Sequence, residues 1–189
     1  EEVDARTIDE LGFENIDFIK LDIQGGELNA LLGASKSLDS VLGIELEVEF
    51  KDLYLNQPLF GDISQFLTDK EFEFIDFVNL CRWERNGFTG LGTCAFGDAL
   101  FLRTPEFMAE SNLSEQKIAQ YIAILYIYNR FDLIDVLFKI NDKLDGEFKS
   151  MKKLIQKKRI RYKIVGKINK INSILLSMFG VEFRSHLIY

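Results

Sequence analysis

An acidic residue followed by two glycines marks the stretch of the sequence best suited to chemistry. The mostly apolar run 16–23 carries Asp22 near its end, Gly25 and Gly26 follow, and a helical pattern opens at Glu27. This order is typical of a buried parallel strand that delivers a carboxylate to the carboxyl edge of an open α/β sheet, where ligands of such sheets bind. The glycines allow a tight turn and the close approach of a ligand to the backbone. Asp22 is therefore a candidate catalytic or binding residue, although an acid in this position can equally serve to stabilise the turn.

A second set of acids lies in the next apolar stretch, residues 42–50. Glu45, Glu47 and Glu49 alternate there with apolar residues, and such alternation normally means that one face of a strand is wet. A sheet covered on both sides would bury these glutamates, so we expect at least one to line a cavity. Glu49, nearest the carboxyl end, is the candidate. The alternative is a strand near the edge of the sheet whose glutamates are all solvated.

These acids need a framework of alternating strands and helices, and the apolar periodicity supplies one. Strands are predicted at 16–23, 42–50, 73–81 and 94–103, and helices at 27–38 and 62–71. The connection between the last two strands is too short for a crossover helix, so this pair is predicted to be antiparallel. The predicted order is β-α-β-α-β-β.

The charge distribution divides the chain into two segments. Residues 1–104 hold 21 acidic and 8 basic side chains, a net charge of −13, whereas residues 105–189 hold 9 acidic and 15 basic ones, a net charge of +6. We therefore predict an α/β domain at 1–104 and a helical extension at 105–189. The acidic segment lacks the basic face that nucleic-acid binding needs, so no nucleic-acid partner is expected.

The most basic part of the extension is residues 149–170, with ten Lys or Arg and no acid. Isoleucines interleave with these charges, and the apolar run 174–179 follows. A basic amphipathic helix of this kind is expected to make peripheral contact with an anionic membrane surface through 149–179. Docking onto the acidic segment or onto a partner subunit is the alternative, and both are favoured over nucleic acid.

The remaining composition points to the cytoplasm. No apolar stretch reaches the roughly 18 residues of a membrane-spanning helix, and the start has no secretory signal pattern. Cys81 and Cys94 are too few for a metal site of their own and are predicted to be reduced thiols. Their spacing would also permit a bridge between neighbouring strands.

The sequences of several stretches resemble the FkbM family of S-adenosylmethionine-dependent methyltransferases. The core of the likeness is Asp-x-Gln-Gly-x-Glu at 22–27, within DFIKLDIQGGELNALLGASKSL at 17–38. The flanking matches are TIDEL at 7–11, IELEVEF at 44–50, LYLNQPLFGDISQFL at 53–67 and GDALFLR at 97–103. The family usually carries Glu where this chain has Gln24, and Gln keeps an oxygen acceptor but loses a charge.

The resemblance implies a fold and an activity. The fold is the downstream half of a Rossmann-like class I methyltransferase sheet, with the last strand antiparallel, followed by the helical extension. The activity is methyl transfer from S-adenosylmethionine to a hydroxyl of a glycan, sugar or natural product. Asp22, Glu27 and Glu49 are the implied catalytic residues, and Asp22, Gln24 and Gly25 the cofactor-binding ones. Whether a divalent metal ion takes part stays open.

Two parts of such an enzyme have no counterpart in the sequence. A glycine-rich turn after a first strand and an acid for the cofactor's ribose are expected by the resemblance to lie upstream of residue 1, so the chain is expected to be a fragment that is inactive alone. The strand 16–23 would then form a sheet edge that invites pairing with another chain, and an oligomer is expected on that ground. The alternative function is a non-catalytic binding or membrane-docking module.

Overall fold

The computed structural model describes residues 4–85, 90–141, 144, 146 and 148–178, with side chains except at 149, 169 and 171–178. The chain forms two compact units that divide between Tyr121 and Ile122. This division lies inside a helix, later in the chain than the composition boundary at 104/105. The boundary at 104/105 itself stays a prediction.

A four-stranded sheet with two connecting helices forms the first unit. The elements are β1 (Phe18–Leu21), α1 (Glu27–Leu32), β2 (Gly43–Glu49), α2 (Phe60–Asp69), β3 (Phe72–Trp83) and β4 (Thr93–Arg103). The strand order across the sheet is β1-β2-β4-β3. β1 and β2 are parallel, and β4 runs antiparallel to both of its neighbours. The predicted order of strands and helices and the antiparallel last strand are thus present.

The centre of this sheet is β2, which pairs with β1 on one side and β4 on the other. Its apolar residues Ile44, Leu46 and Val48 are fully buried, and they pack with Leu31 of α1 and Leu67 of α2 in one core. The edge-strand alternative for β2 is therefore wrong, because hydrogen-bonded partners on both sides leave its glutamates no open edge.

The first helix is shorter than predicted. α1 ends at Leu32 with Gly33 as its C-cap, and a separate 3-10 turn follows at Ser37–Asp39. A side chain at Gly33 would place its Cβ 3.1 Å from the Cβ of Thr7, so the glycine permits the close approach of the segment that precedes β1. Apolar spacing alone could not separate these two helical pieces.

Aromatic rings fill the space between α2, β3 and β4. The ring of Phe60, at the start of α2, lies 5.2–6.4 Å between centroids from those of Phe50, Phe74, Phe77 and Phe101. Edge and tilted contacts of this kind add to the burial of the rings themselves. The aromatic residue that closes the loop after β2 therefore belongs to the core.

Arg103, the last residue of β4, is buried. Its guanidinium lies between the rings of Phe72 and Phe107, 4.0 and 4.5 Å from their centroids. Three backbone carbonyls accept its N–H groups at 2.5–3.2 Å, those of Leu38, Val41 and Lys70. Arg103 thus joins the segment before β2 to the end of α2.

The rest of the described chain is helical, as predicted for the extension. The helices are α3 (Pro105–Glu110), α4 (Glu115–Ile127), α5 (Phe131–Ile140) and α6 (Lys149–Met178). The Ser114 hydroxyl caps the start of α4, where it accepts the Lys117 N–H at 3.2 Å. Among the described residues, no helix combines the length and the apolar character needed to cross a membrane.

Candidate functional site

The turn between β1 and α1 is held together by Glu27. Its two carboxylate oxygens accept the backbone N–H groups of Ile23 and Gly25, each at 2.8 Å, and its side chain is buried. Gln24 and Gly25 both have positive φ, 58° and 97°. The Glu27 carboxylate thus stabilises a turn in which Gly25 adopts a positive φ, a conformation that glycine adopts readily. The catalytic role implied for Glu27 stays a prediction.

Gly25 also provides room for the loop that follows β2. A Cβ at this position would lie 2.8 Å from Nε2 of Gln57 and 3.2 Å from a ring carbon of Tyr54. Any larger residue would push these side chains away. The tight turn therefore brings the end of β1 into direct contact with the loop at 51–59.

Asp22 and Gln24 form the exposed part of this edge. The Gln24 amide Nε2 donates to Oδ1 of Asp22 and to Oε1 of Glu47, both at 3.2 Å. Burial raises the pKa of Glu47, and the nearby carboxylates of Asp22 and Glu27 raise it further. A neutral amide between two carboxylates relieves repulsion that a glutamate at position 24 would increase.

Lys20 and Glu45 add an ion pair on the neighbouring positions of the two parallel strands. Glu45 is buried, and the Lys20 side chain is exposed. The hydrogen bond with Glu45 raises the pKa of Lys20. Of the three alternating glutamates, Glu45 is thus neutralised by a lysine and Glu47 is bonded to an amide.

The third glutamate, Glu49, is the unusual one. Its side chain is 1% exposed, and within the described part of the chain neither carboxylate oxygen has a hydrogen-bond partner of normal geometry. Burial raises the pKa of Glu49 to about 7, and the nearby carboxylates of Glu27 and Glu47 raise it further. Glu49 is thus the most enclosed glutamate of this strand, and the expectation that it lines a cavity stays a prediction.

Gln57 is a member of this cluster that the sequence pattern did not mark out as a site residue. It is buried, and its Oε1 accepts the N–H groups of Leu53 and Tyr54 at 3.1 and 3.2 Å. Its Nε2 has no acceptor among the residues that the structure describes. The sequence feature that could have pointed to Gln57 is its position in the loop that follows β2, at the predicted ligand-binding edge.

The structure thus gathers all five predicted site residues at the carboxyl ends of β1 and β2. Two of them, Asp22 and Gln24, are exposed, whereas Glu27 and Glu49 are buried. In the described part of the chain, no three His, Cys, Asp or Glu side chains converge as metal ligands. What the arrangement can do chemically is to accept a proton and to hydrogen-bond hydroxyl and amino groups.

Comparison with known proteins finds a match for the part of the chain that holds this edge. The family described as the Methyltransferase FkbM domain matches residues 1–74. The resemblance is confirmed over that range, which contains all five predicted site residues, and the match supports methyltransferase activity in general. No curated protein and no solved structure matches the chain.

Proposed function

Since residues 1–74 carry the FkbM methyltransferase domain, we propose that this protein transfers a methyl group from S-adenosylmethionine to the hydroxyl of a sugar or natural product. The single observation that carries the proposal is that the family match contains the polar edge formed by Asp22, Gln24 and Glu49. The carboxyl edge of an open α/β sheet is where such folds bind their ligands.

Methyl transfer to a hydroxyl requires that the protein align the hydroxyl with the methyl group and remove the hydroxyl proton. S-adenosylmethionine supplies, when bound, a methyl group activated by its sulfonium. The acceptor hydroxyl must lie in line with that methyl, and its proton must leave as the new carbon–oxygen bond forms and the carbon–sulfur bond breaks. Asp22 is the exposed carboxylate at this edge, so we assign it the role of orienting the hydroxyl and taking its proton.

Gln24 and Gly25 fit a cofactor-binding role in different ways. The exposed amide of Gln24 offers both a donor and an acceptor to the polar groups of the cofactor. The absence of a side chain at Gly25 keeps the turn close to the Gln57 loop.

Glu49 and Glu27 support this site from beneath. Glu27 fixes the turn that carries Gln24. We propose that Glu49, with its pKa raised to about 7, exchanges a proton with this site near neutral pH. We propose that the pair shapes the pocket and that Asp22 alone touches the acceptor.

Titration with S-adenosylhomocysteine tests this function without knowledge of the acceptor. The protein expressed from its natural reading frame is predicted to bind it, and the Gly25→Val variant to bind it at least tenfold more weakly, because the new side chain would collide with Gln57. Gly61→Ala is the matched control, since a Cβ there meets nothing within 4 Å. The absence of binding in the natural protein would favour the alternative, a non-catalytic binding module.

A further inference from the structure

One side of α6 is used by the second unit for its own packing. Ile155 is buried there. The Nζ of Lys158 donates to the Tyr126 carbonyl at 2.5 Å, and Arg159 donates to the carboxylate of Asp135 at 2.8 Å. This side of the helix is therefore already partnered.

The opposite side of α6 carries an apolar stripe. Ile160, Ile164 and Ile168 follow one another at intervals of four residues, which places them along one face of a helix. Their exposed fractions are 52%, 51% and 50%. Single exposed leucines or isoleucines are common on protein surfaces. A row of three half-exposed isoleucines along two helical turns is a contiguous apolar patch, and such patches mark interaction sites.

Lysines lie among these isoleucines on the same face. At 100° per residue, the helical positions of Lys153, Lys157 and Lys167 fall within about 60° of that of Ile164, and all three side chains are exposed. A shallow depression on this surface is lined by Ile160, Lys163, Ile164, Gly166, Lys167 and Lys170. We call the isoleucine stripe together with Lys153, Lys157 and Lys167 the outer face.

We propose that the outer face docks onto the surface of an anionic lipid bilayer. Ten basic and no acidic residues over 149–170 match a surface of negative charge, where each Lys or Arg strengthens binding. The isoleucine stripe decides between anionic partners, because a bilayer offers an apolar layer just beneath its charged headgroups and a nucleic-acid backbone does not. The helix then lies in the plane of the interface, with the lysines at the headgroups and the isoleucines below them.

Co-sedimentation with lipid vesicles tests the proposal on the full chain. Vesicles of phosphatidylcholine and phosphatidylserine are expected to bind the protein at low ionic strength, whereas pure phosphatidylcholine vesicles bind it far more weakly. Raised salt should weaken binding because it screens the charge, and the Debye length falls to about 10 Å at 0.1 M.

Two sets of variants separate the charge from the apolar stripe. Lys153→Gln, Lys157→Gln and Lys167→Gln together should weaken binding to the anionic vesicles roughly 100-fold, at roughly fivefold for each charge. Ile164→Ser with Ile168→Ser should weaken it roughly tenfold or more, by loss of apolar burial. Lys139→Gln and Ile140→Ser on α5 are the matched controls, since both side chains are exposed and neither belongs to the outer face.

Each set has a result that would overturn the proposal. Variants of the outer face that bind as the parent does would show that this face is not the docking surface. Failure to bind anionic vesicles, combined with binding to an RNA duplex or a doubled mass in solution, would assign the face to nucleic acid or to a second copy of the chain. Circular dichroism of each variant shows whether the helices are retained.

Discussion

Glu49 has surroundings unlike those of the other glutamates on its strand. Lys20 pairs with Glu45 and the Gln24 amide bonds Glu47, whereas both oxygens of Glu49 are buried without a hydrogen bond in the described part of the chain. Burial favours the neutral form of a carboxyl group, and nearby carboxylates favour it further. A carboxyl whose pKa is about 7 suits proton transfer at neutral pH.

The raised pKa of Glu49 makes the folded protein less stable as the pH rises. The folded pKa of Glu49 is about 7, against an ordinary value of 4.5, so between these pH values the folded chain holds a proton that the unfolded chain has released. The free energy of unfolding therefore falls as the pH rises from about 5 to about 7, and this contribution is constant above that range.

The variant Glu49→Gln should remove this contribution, because glutamine resembles the protonated side chain. Above pH 7 the variant is expected to be more stable than the parent by about 1–3 kcal/mol, and at pH 5 the two should be similar. Urea unfolding across this range measures the difference. Glu14→Gln, at an exposed position, is the control, and a Glu49→Gln variant that keeps the parent's loss of stability would contradict the assignment.

Gln24 stands where the FkbM family usually carries a glutamate, and its hydrogen bonds fit its surroundings. Its amide bonds the carboxylates of Asp22 and Glu47, both of which are acceptors. A glutamate in its place would set a third negative charge between them, unless a cation or a proton were bound as well. The neutral residue therefore keeps this edge together by its own hydrogen bonds.

At the scale of elements, Arg103 fixes the end of β4 to its surroundings. Its guanidinium satisfies three backbone carbonyls and lies between two aromatic rings, and burial lowers its pKa. The backbone carbonyl of Arg103 in turn accepts the hydroxyl of the buried Tyr121 at 2.6 Å. One residue thus links the segment before β2, the end of α2 and α4.

Replacement of this side chain should be costly to the first unit. Arg103→Met keeps much of the volume but removes the hydrogen bonds to the carbonyls of Leu38, Val41 and Lys70, which is expected to lower the free energy of unfolding by about 3–5 kcal/mol. The fluorescence of Trp83, in β3, reports the urea transition. Arg82→Met, at an exposed position of the same strand, should change it by less than about 0.5 kcal/mol. Equal effects of the two substitutions would show that Arg103 does not have this linking role.

The same elements show what a sequence can and cannot predict. The strands and α2 were predictable because their apolar residues recur at periods set by the backbone, so their ends differ by at most two residues. The early end of α1 was not, because it depends on Thr7 packing against Gly33. The places of Asp22 and Glu49 at strand ends could be predicted from the sequence, whereas the position of Gln57 against Gly25 depends on a neighbour far away in the chain.

For the whole molecule, the two units carry different surfaces suited to different partners. The first presents the polar edge at the ends of β1 and β2, and the second presents the outer face of α6. The net charges of residues 1–104 and 105–189 are opposite in sign, although the units themselves divide between Tyr121 and Ile122. An enzyme that acts on an acceptor near an anionic surface would use both, the first for methyl transfer and the second for docking.

The most direct test of this account is methyl transfer itself. The protein from its natural reading frame is incubated with methyl-labelled S-adenosylmethionine and a set of sugar hydroxyl acceptors, alongside the Asp22→Asn and Asp39→Asn variants. Asp39 is the control because it is exposed and precedes β2, away from the carboxyl edge. We predict labelled product with the parent and the control, and at least a 100-fold loss of turnover with Asp22→Asn, the size typical of a lost acid–base group. Unchanged turnover in Asp22→Asn, or no transfer to any hydroxyl by a protein that binds S-adenosylhomocysteine, would contradict the account.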